Sequence, residues 1–226
     1  MLDIVTHKTL LIQILKEICS DVSLGPVLGF KGGTAAFIFY DLGRFSVDLD
    51  FDLLDAEKED LVFSRLDTIL TRFGTVKERY NKRNTILFVI SYDDKYQNIK
   101  VEVSKRTFNS KYTLKNYLGV SVLTMVKEDM FAHKLVAMLE RQGNTNRDIY
   151  DVWFFLKNNW PINQDIIKKR TGYSFKEFIK RIIKVMDGVN NRSILNGIGE
   201  LLNGKQKAWA KINLKAETIF LLKARS

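Results

Sequence analysis

Residues 30–54 read FKGGTAAFIFYDLGRFSVDLDFDLL, and this stretch holds a turn, a helix and a strand that decide the fold. The pair Gly32-Gly33 follows a short apolar strand and precedes an apolar run at 34–40, which predicts a tight turn into a buried helix. From Ser46 to Leu54 polar and apolar residues alternate, a pattern typical of a strand. The segment therefore predicts a sheet against which helices pack.

The polar positions of the predicted strand are aspartates. Asp48 and Asp50 lie two residues apart and so share one face, whereas Leu49 and Phe51 point into the core. Two carboxylates held this close repel each other unless a divalent cation lies between them, and ligands that are all oxygen suit Mg²⁺. Asp52 continues the same face, either as a third ligand or as the exposed end of the strand.

The glycine turn has a different chemical character. Gly32 and Gly33 leave backbone N–H groups unshielded at the start of a helix, and Thr34 adds a hydroxyl. Oriented N–H groups and the helix dipole attract phosphate oxygens. One short segment thus predicts a phosphate-binding turn beside a pair of metal ligands.

Further elements follow from the periodicity of the apolar residues. Helical spacing predicts helices at 8–19 and 57–73. Alternation predicts a hairpin of strands at 75–80 and 85–92 with a four-residue connection, and a strand at 99–104. From about residue 126 the pattern is helical, with predicted segments at 126–141, 147–158, 163–170, from Ser174, 192–202 and 205–222. We expect an α+β fold in which a mixed sheet with flanking helices (1–125) precedes a C-terminal helical bundle (126–226).

Composition narrows the class of protein. The chain has 226 residues, of which 46% are hydrophobic and 27% charged, as in soluble globular proteins. The single cysteine, Cys19, cannot form an internal disulfide, which favours a reducing compartment. The N-terminus resembles neither a signal peptide nor a membrane span, so we expect a cytoplasmic protein that does not enter a membrane.

Charge is distributed unevenly along the chain. Residues 1–150 hold 21 Lys and Arg against 20 Asp and Glu, whereas residues 151–226 hold 15 against 6. This asymmetry predicts that the C-terminal part faces a polyanion, or else that it carries a lysine-rich face that only aids solubility.

Two blocks of sequence together resemble a known family. Gly-Gly-Thr at 32–34, thirteen further residues and Asp-Leu-Asp at 48–50 resemble the nucleotidyltransferase signature of the DNA polymerase β superfamily. Residues 44–51 look like its AbiEii/AbiGii toxin branch. Lys134-Leu135, then Arg141, then Arg-Asp-Ile-Tyr-Asp at 147–151 are similar to a second element of that branch.

The resemblance implies a polymerase β-like core and transfer of a nucleoside monophosphate from an NTP to an acceptor hydroxyl, with release of pyrophosphate. Asp48 and Asp50 would be catalytic and would hold Mg²⁺ or Mn²⁺. Glu102 would be a third metal ligand or would accept the proton of the acceptor, unless it only faces solvent. The nucleotide would be bound by Gly32, Gly33, Thr34 and Ser46, and by Arg44 unless its guanidinium pairs with a carboxylate, since its planar fork suits either partner.

The second block implies catalytic roles for two more residues. Lys134 would neutralise the leaving pyrophosphate, unless it is an ordinary solvated lysine. Asp148 would orient Lys134 or serve the nucleotide, and Asp151 either takes part or forms a structural ion pair. We expect the helical region to contribute Lys134 and Asp148 to the active-site cleft.

The acceptor is less defined than the chemistry. Lysines at 176, 180 and 184 recur every four residues and predict a cationic ridge on one helix, which suits RNA phosphates. Toxins of the branch act on tRNA 3′ ends, so the resemblance implies tRNA as the acceptor and an antitoxin, either protein or RNA, as a partner. A protein or small-molecule acceptor, and nucleotide or RNA binding without turnover, remain alternatives.

Overall fold

The structure, a computed structural model, describes residues 3–92, 98–141 and 146–225. The chain divides into two compact units. The first comprises Met1–Asp41, Ser46–Thr107 and Lys111–Met125, and the second comprises Leu42–Phe45, Phe108–Ser110 and Val126–Ser226.

The first unit is built on a mixed sheet. Its strands are β1 (Leu28–Lys31), β2 (Asp48–Leu53), β3 (Thr75–Lys82), β4 (Thr85–Ser91), β5 (Asn98–Ser104), β6 (Tyr112–Tyr117) and β7 (Val120–Met125). Their order in the sheet is β3-β4-β5-β2-β1-β7-β6. Strand β2 runs parallel to β5, β1 runs parallel to β7, and the other neighbours are antiparallel. The predicted α+β fold with a mixed sheet and flanking helices is confirmed.

Three helices belong to the first unit: α1 (Ile4–Ser20), α2 (Gly32–Phe39) and α3 (Glu59–Leu70). The amphipathic pattern of α1 buries Leu11, Ile14 and Ile18, and this helix packs on the sheet and on α3. Leu49 and Phe51 are fully buried on the opposite side of β2 from the aspartates, as the alternation predicts. The core therefore covers one face of the central strands.

The second unit is helical. It contains α4 (Lys127–Glu140), α5 (Arg147–Lys157), α6 (Gln164–Thr171), α7 (Phe175–Asp187), α8 (Gly204–Trp209) and α9 (Lys215–Lys223). A π-helical segment at 210–214 joins α8 to α9. The capping box at the start of α7 is formed as predicted, because Ser174 Oγ accepts from the Glu177 N–H and the Glu177 side chain accepts from the Ser174 N–H.

The structure corrects three predictions. The predicted helix at 192–202 is instead two short 3-10 turns, because Gly197 adopts a φ of 70° that an α-helix does not allow. The hairpin of β3 and β4 closes through two residues rather than four, since Asn81 and Lys82 pair with Ile86 and Thr85. Strands β6 and β7 have no counterpart in the prediction.

Within the described residues, no helix combines the length and the hydrophobicity that a membrane span requires.

Candidate active site

Three acidic residues share one face of the sheet in the first unit, and we call them the carboxylate face: Asp48, Asp50 and Glu102. Asp48 and Asp50 lie on β2, and Glu102 lies directly opposite Asp50 on the parallel strand β5. All three side chains are only partly buried, whereas their strand neighbours Leu49 and Val101 are fully buried. The three acids therefore lie on the face of the sheet opposite the buried core residues, as the alternation predicts.

Negative charge is concentrated around Asp50 on the carboxylate face. Burial raises the pKa of this carboxyl above its usual range, and the charges of Asp48 and Glu102 raise it further. Two lysines act in the opposite direction: Lys31 lies opposite Asp50 on β1, and Lys100 Nζ lies 2.5 Å from Glu102 Oε2. The site therefore has excess negative charge that lysines only partly offset.

The donor set decides what kind of metal site is possible. Among residues 3–92, 98–141 and 146–225, no group of three or more His, Cys, Asp or Glu side chains is arranged to hold a metal ion. Mg²⁺, however, is commonly bound by one or two carboxylates, with substrate phosphates and water completing its shell. An ion bound in this way would offset the repulsion between Asp48 and Asp50. The described residues do not form a site in which protein side chains alone surround the metal.

The third aspartate of β2 has a structural role. Lys31 Nζ lies 2.5 Å from Asp52 Oδ1, and the Tyr112 hydroxyl donates to Asp52 Oδ2 at 2.5 Å. Gly29 makes room for this tyrosine, since a Cβ there would lie 2.3 Å from the Tyr112 ring. Asp52 is therefore neither exposed nor open to a metal, because its two oxygens already bind protein donors.

Gly32 is required for two separate reasons. Its φ is 79°, a conformation that costs any L residue energy, and a Cβ at this position would lie 2.5 Å from Asp50 Oδ2. Gly32 also begins α2, and the residue before it, Lys31, directs its side chain to Asp52. The N–H groups of the first helical turn, including that of Gly33, start beside the Asp50 carboxylate.

Thr34 and Ser46 are buried beside this turn. The Thr34 hydroxyl donates to the backbone carbonyl of Asp48 and lies 2.9 Å from Ser46 Oγ. These hydroxyls therefore fix the start of α2 against the start of β2. Nucleotide contacts by the two residues stay a prediction, and Thr34 is fully buried.

The second unit contains a separate cluster, which we call the buried ion network: Arg44, Lys134, Asp148 and Asp151. Arg44 Nε and Nη2 bind the two oxygens of Asp151 at 2.6 and 2.7 Å. Lys134 Nζ lies 2.8 Å from both Asp148 Oδ1 and Asp151 Oδ2. Arg44 is 2% exposed, so its guanidinium serves this network, and its predicted contact with a nucleotide stays untested.

Asp151 and Lys134 stay ionised within the buried ion network. Burial alone would raise the pKa of Asp151, but Arg44 and Lys134 outweigh it and lower this pKa from 3.8 to about 2. Burial likewise opposes the charge of Lys134, yet Asp148 and Asp151 hold its pKa above the usual value. Lys134 is therefore a cation whose charge two carboxylates already balance, and its predicted contact with a phosphate stays untested.

One oxygen of this network lacks a partner. Asp148 Oδ2 is buried and accepts no hydrogen bond from the described residues, although Arg141 Nη1 lies 3.7 Å away. Buried carboxylate oxygens are normally paired, so this oxygen has room to accept from a further donor. Both the functional and the structural interpretation of Asp148 stay open.

Comparison with known proteins assigns the family. The sequence profile of the nucleotidyl transferase AbiEii toxin family, from type IV toxin–antitoxin systems, matches residues 13–210. The chain belongs to this family. The match confirms the resemblance drawn from the two sequence blocks, and it makes the protein a toxin-type nucleotidyltransferase that uses an NTP and has a cognate antitoxin.

Solved structures show the same fold as this AbiEii-family chain. The protein JHP933 from Helicobacter pylori superimposes with a TM-score of 0.57 at 15% identity, over 98% of this chain and 94% of that one. A candidate nucleotidyltransferase from H. pylori gives a TM-score of 0.57 at 16% identity, over 98% and 97%. No curated protein matches by sequence.

Sequence reasoning missed three residues around the carboxylate face of this nucleotidyltransferase. Lys100 precedes Glu102 by two positions on a strand, so their shared face was readable from the alternation. Nothing in the sequence distinguishes Lys31 from a solvated lysine, although its side chain pairs with Asp52. Tyr112 could not be found, because β6 itself was not predicted.

Proposed function

We propose that this AbiEii-family nucleotidyltransferase transfers a nucleoside monophosphate from an NTP to the 3′ end of tRNA, with Mg²⁺ or Mn²⁺. The acceptor oxygen bonds to the α-phosphorus as the bond from that phosphorus to the bridging oxygen of pyrophosphate breaks. The hydroxyl proton passes to Glu102 or to water. The observation that carries the proposal is the pair Asp48 and Asp50 beside the Gly32 turn, where acids and N–H donors adjoin.

Each candidate site residue of the first unit has a defined role in this proposal. Asp48 and Asp50 would hold the cation, which supplies positive charge to the phosphates when it is bound, and Glu102 would be the proton acceptor opposite Asp50. Backbone N–H groups of Gly32, Gly33 and Thr34 would bind phosphate oxygens at the start of α2. Ser46 would support this turn through Thr34, to which it is hydrogen-bonded.

The buried ion network supplies the remaining roles. Lys134 would neutralise charge on the leaving pyrophosphate, and Asp148 would hold the lysine through Oδ1 while Oδ2 is open to a ligand. Arg44 would act through Asp151, which it binds with two hydrogen bonds. We retain the division into a core (1–125) and a helical domain (126–226) as part of the proposal.

The choice of tRNA depends on the basic second half of the chain. Lys176, Lys180 and Lys184 are exposed on α7 at four-residue steps and form the predicted ridge. An RNA backbone matches a row of ammonium groups, and binding would weaken steeply with added salt. With a protein or a small molecule as acceptor, this ridge would only aid solubility.

Transfer of label tests both the chemistry and the acceptor. The protein is incubated with total RNA, Mg²⁺ and each α-labelled NTP in turn, next to Asp48→Ala. Asp60→Ala removes an exposed acid from the first turn of α3 and serves as the matched control. Label in tRNA with wild type and Asp60→Ala, but not with Asp48→Ala, is expected. Label in protein, or in no acceptor, would overturn the assignment of tRNA.

A further inference from the structure

The second unit contains a cavity whose lining residues have no assigned part in the proposed chemistry, although Arg141 at its rim lies 3.7 Å from Asp148. Its volume is about 620 Å³, within the range of roughly 300–1,000 Å³ typical of small-molecule sites. It lies between the C-terminal end of α4, the N-terminal end of α5 and the C-terminal end of α7 with the turn that follows. All of its lining residues belong to the same unit.

The lining combines an apolar wall with cations. Met138, Ile149 and Met186 supply buried apolar surface, with exposed fractions of 5%, 4% and 0%. Arg141 and Lys184 stand at its exposed rim. Among the described residues that line the cavity, none carries a carboxylate. This lining suits a ligand with a flat apolar part and a negative charge.

Hydrogen bonds fix the polar wall of the cavity in place. The Asn146 side-chain amide donates to the Ser193 carbonyl at 2.8 Å, and the Asn146 N–H donates to the Asn196 carbonyl at 3.0 Å. These bonds tie the start of α5 to the turn after α7. Asn190 stands in the same wall; its Oδ1 accepts from the Arg192 N–H at 2.9 Å, and its NH₂ group is a donor of the kind that reads the edge of a nucleobase.

We propose that this cavity binds a nucleoside 5′-phosphate unit, with the base against Met138 and Ile149 and the phosphate at Arg141 and Lys184. Lys184 also ends the ridge of lysines on α7, so a strand that follows the ridge reaches the cavity. The unit is then either a free nucleotide or one residue of an RNA. The RNA source rests on the proposed function, whereas the nucleotide site itself does not.

Binding measured without catalysis tests this site. Calorimetric titration of AMP, CMP, GMP and UMP is carried out on the wild-type protein, which cannot transfer these nucleotides because they carry no pyrophosphate leaving group. Lys184→Ala is expected to weaken binding about tenfold or more, as the loss of a charge-assisted hydrogen bond does. Val189→Trp, which fills the cavity from its wall, is expected to abolish binding. Lys180→Ala, one turn from Lys184 and outside the lining, is the matched control for mononucleotides.

The source of the unit is distinguished with a short single-stranded RNA. If RNA binds more tightly than any mononucleotide and loses affinity in both Lys180→Ala and Lys184→Ala, the occupant is an RNA residue. Equal affinities, with loss only in Lys184→Ala, identify a free nucleotide. Mononucleotide binding that is absent, or that survives both Lys184→Ala and Val189→Trp, overturns the proposal. Labelling of tRNA by the wild type is scored separately, so either proposal can fail while the other stands.

Discussion

At the scale of single residues, Gly32 links the backbone to the chemistry. It allows a left-handed turn, and its missing side chain is what lets the Asp50 carboxylate lie against the start of α2. The pairing of a glycine turn with an acidic pair in the sequence was enough to predict this neighbourhood. The second role of the glycine, contact with Asp50, needed coordinates, because distance between two strands cannot be read from spacing.

Gly32→Ala separates backbone strain from loss of the site. Gly119 also has a positive φ, of 82°, but a Cβ there would meet no atom within 4 Å. Both alanine variants should lose about 1–2 kcal/mol of unfolding free energy from the left-handed conformation. Only Gly32→Ala should also lose nucleotidyl transfer, by tenfold or more, because Asp50 must move. Equal activity of the two variants in the labelling assay would contradict this role of Gly32.

The pKa of Asp50 predicts how activity depends on pH. Asp50 must be ionised to hold a cation, so activity should fall as the pH drops through its raised pKa. Glu102→Gln removes a charge that raises this pKa and should move the acidic limb of kcat/KM to lower pH. Lys100→Met removes a charge that lowers it and should move the limb to higher pH. Shifts in the same direction would show that Asp50 does not control the limb.

At the scale of elements, sequence reasoning succeeded where a local signal was complete. The capping box defined the start of α7, and strict alternation defined β2 and β5. It failed where polar residues occupy an edge strand: β6 alternates little and is mostly exposed, so its pairing with β7 decides its structure. The partners of Asp151 were also beyond reach, because Arg44 lies 107 positions away in sequence.

The packing of α4 and α5 depends on the buried ion network, and Asp151→Asn tests it. The variant leaves Arg44 and Lys134 facing a neutral amide in the interior, which should cost about 3–5 kcal/mol of unfolding free energy. Asp148→Asn is the isosteric control on the same helix, and it should cost less than half of this, because Asp148 has one close cation rather than two. Urea denaturation of both variants gives the comparison; equal losses would contradict the network as described.

The Asp151 carboxylate also makes the free energy of unfolding depend on pH. Its folded pKa of about 2 lies below the ordinary 3.8, so Asp151 stabilises the fold above pH 4 and this contribution disappears as the pH falls towards 2. Asp151→Asn should therefore flatten the loss of stability between pH 4 and 2, which the same denaturation series measures.

At the scale of the whole molecule, the charge asymmetry along the sequence matches the two different ligands in the proposal. The acids of the sheet would serve the nucleotide, and the lysines of α7 would serve the acceptor. Composition could predict a polyanionic partner, but the cavity at the end of the ridge could not be predicted, because its lining comes from three helices and a turn.

Removal of two ridge lysines tests the role of the ridge. Lys176→Gln with Lys180→Gln should lower RNA affinity and reduce the slope of log K against log salt by about 0.7 per lost phosphate contact. Lys58→Gln with Lys77→Gln removes two exposed lysines of the first unit and should leave the slope unchanged. An equal reduction in both double variants would mean that RNA binding reflects net charge alone.

The central claim is that the carboxylate face directs attack at the α-phosphorus of an NTP, and parallel reactions with α- and γ-labelled NTP test it most directly. The account predicts that the α label enters tRNA while the γ label appears only in pyrophosphate, in equal amounts, and that Asp50→Asn stops both. A γ label in the acceptor, or undiminished transfer by Asp50→Asn, would contradict it.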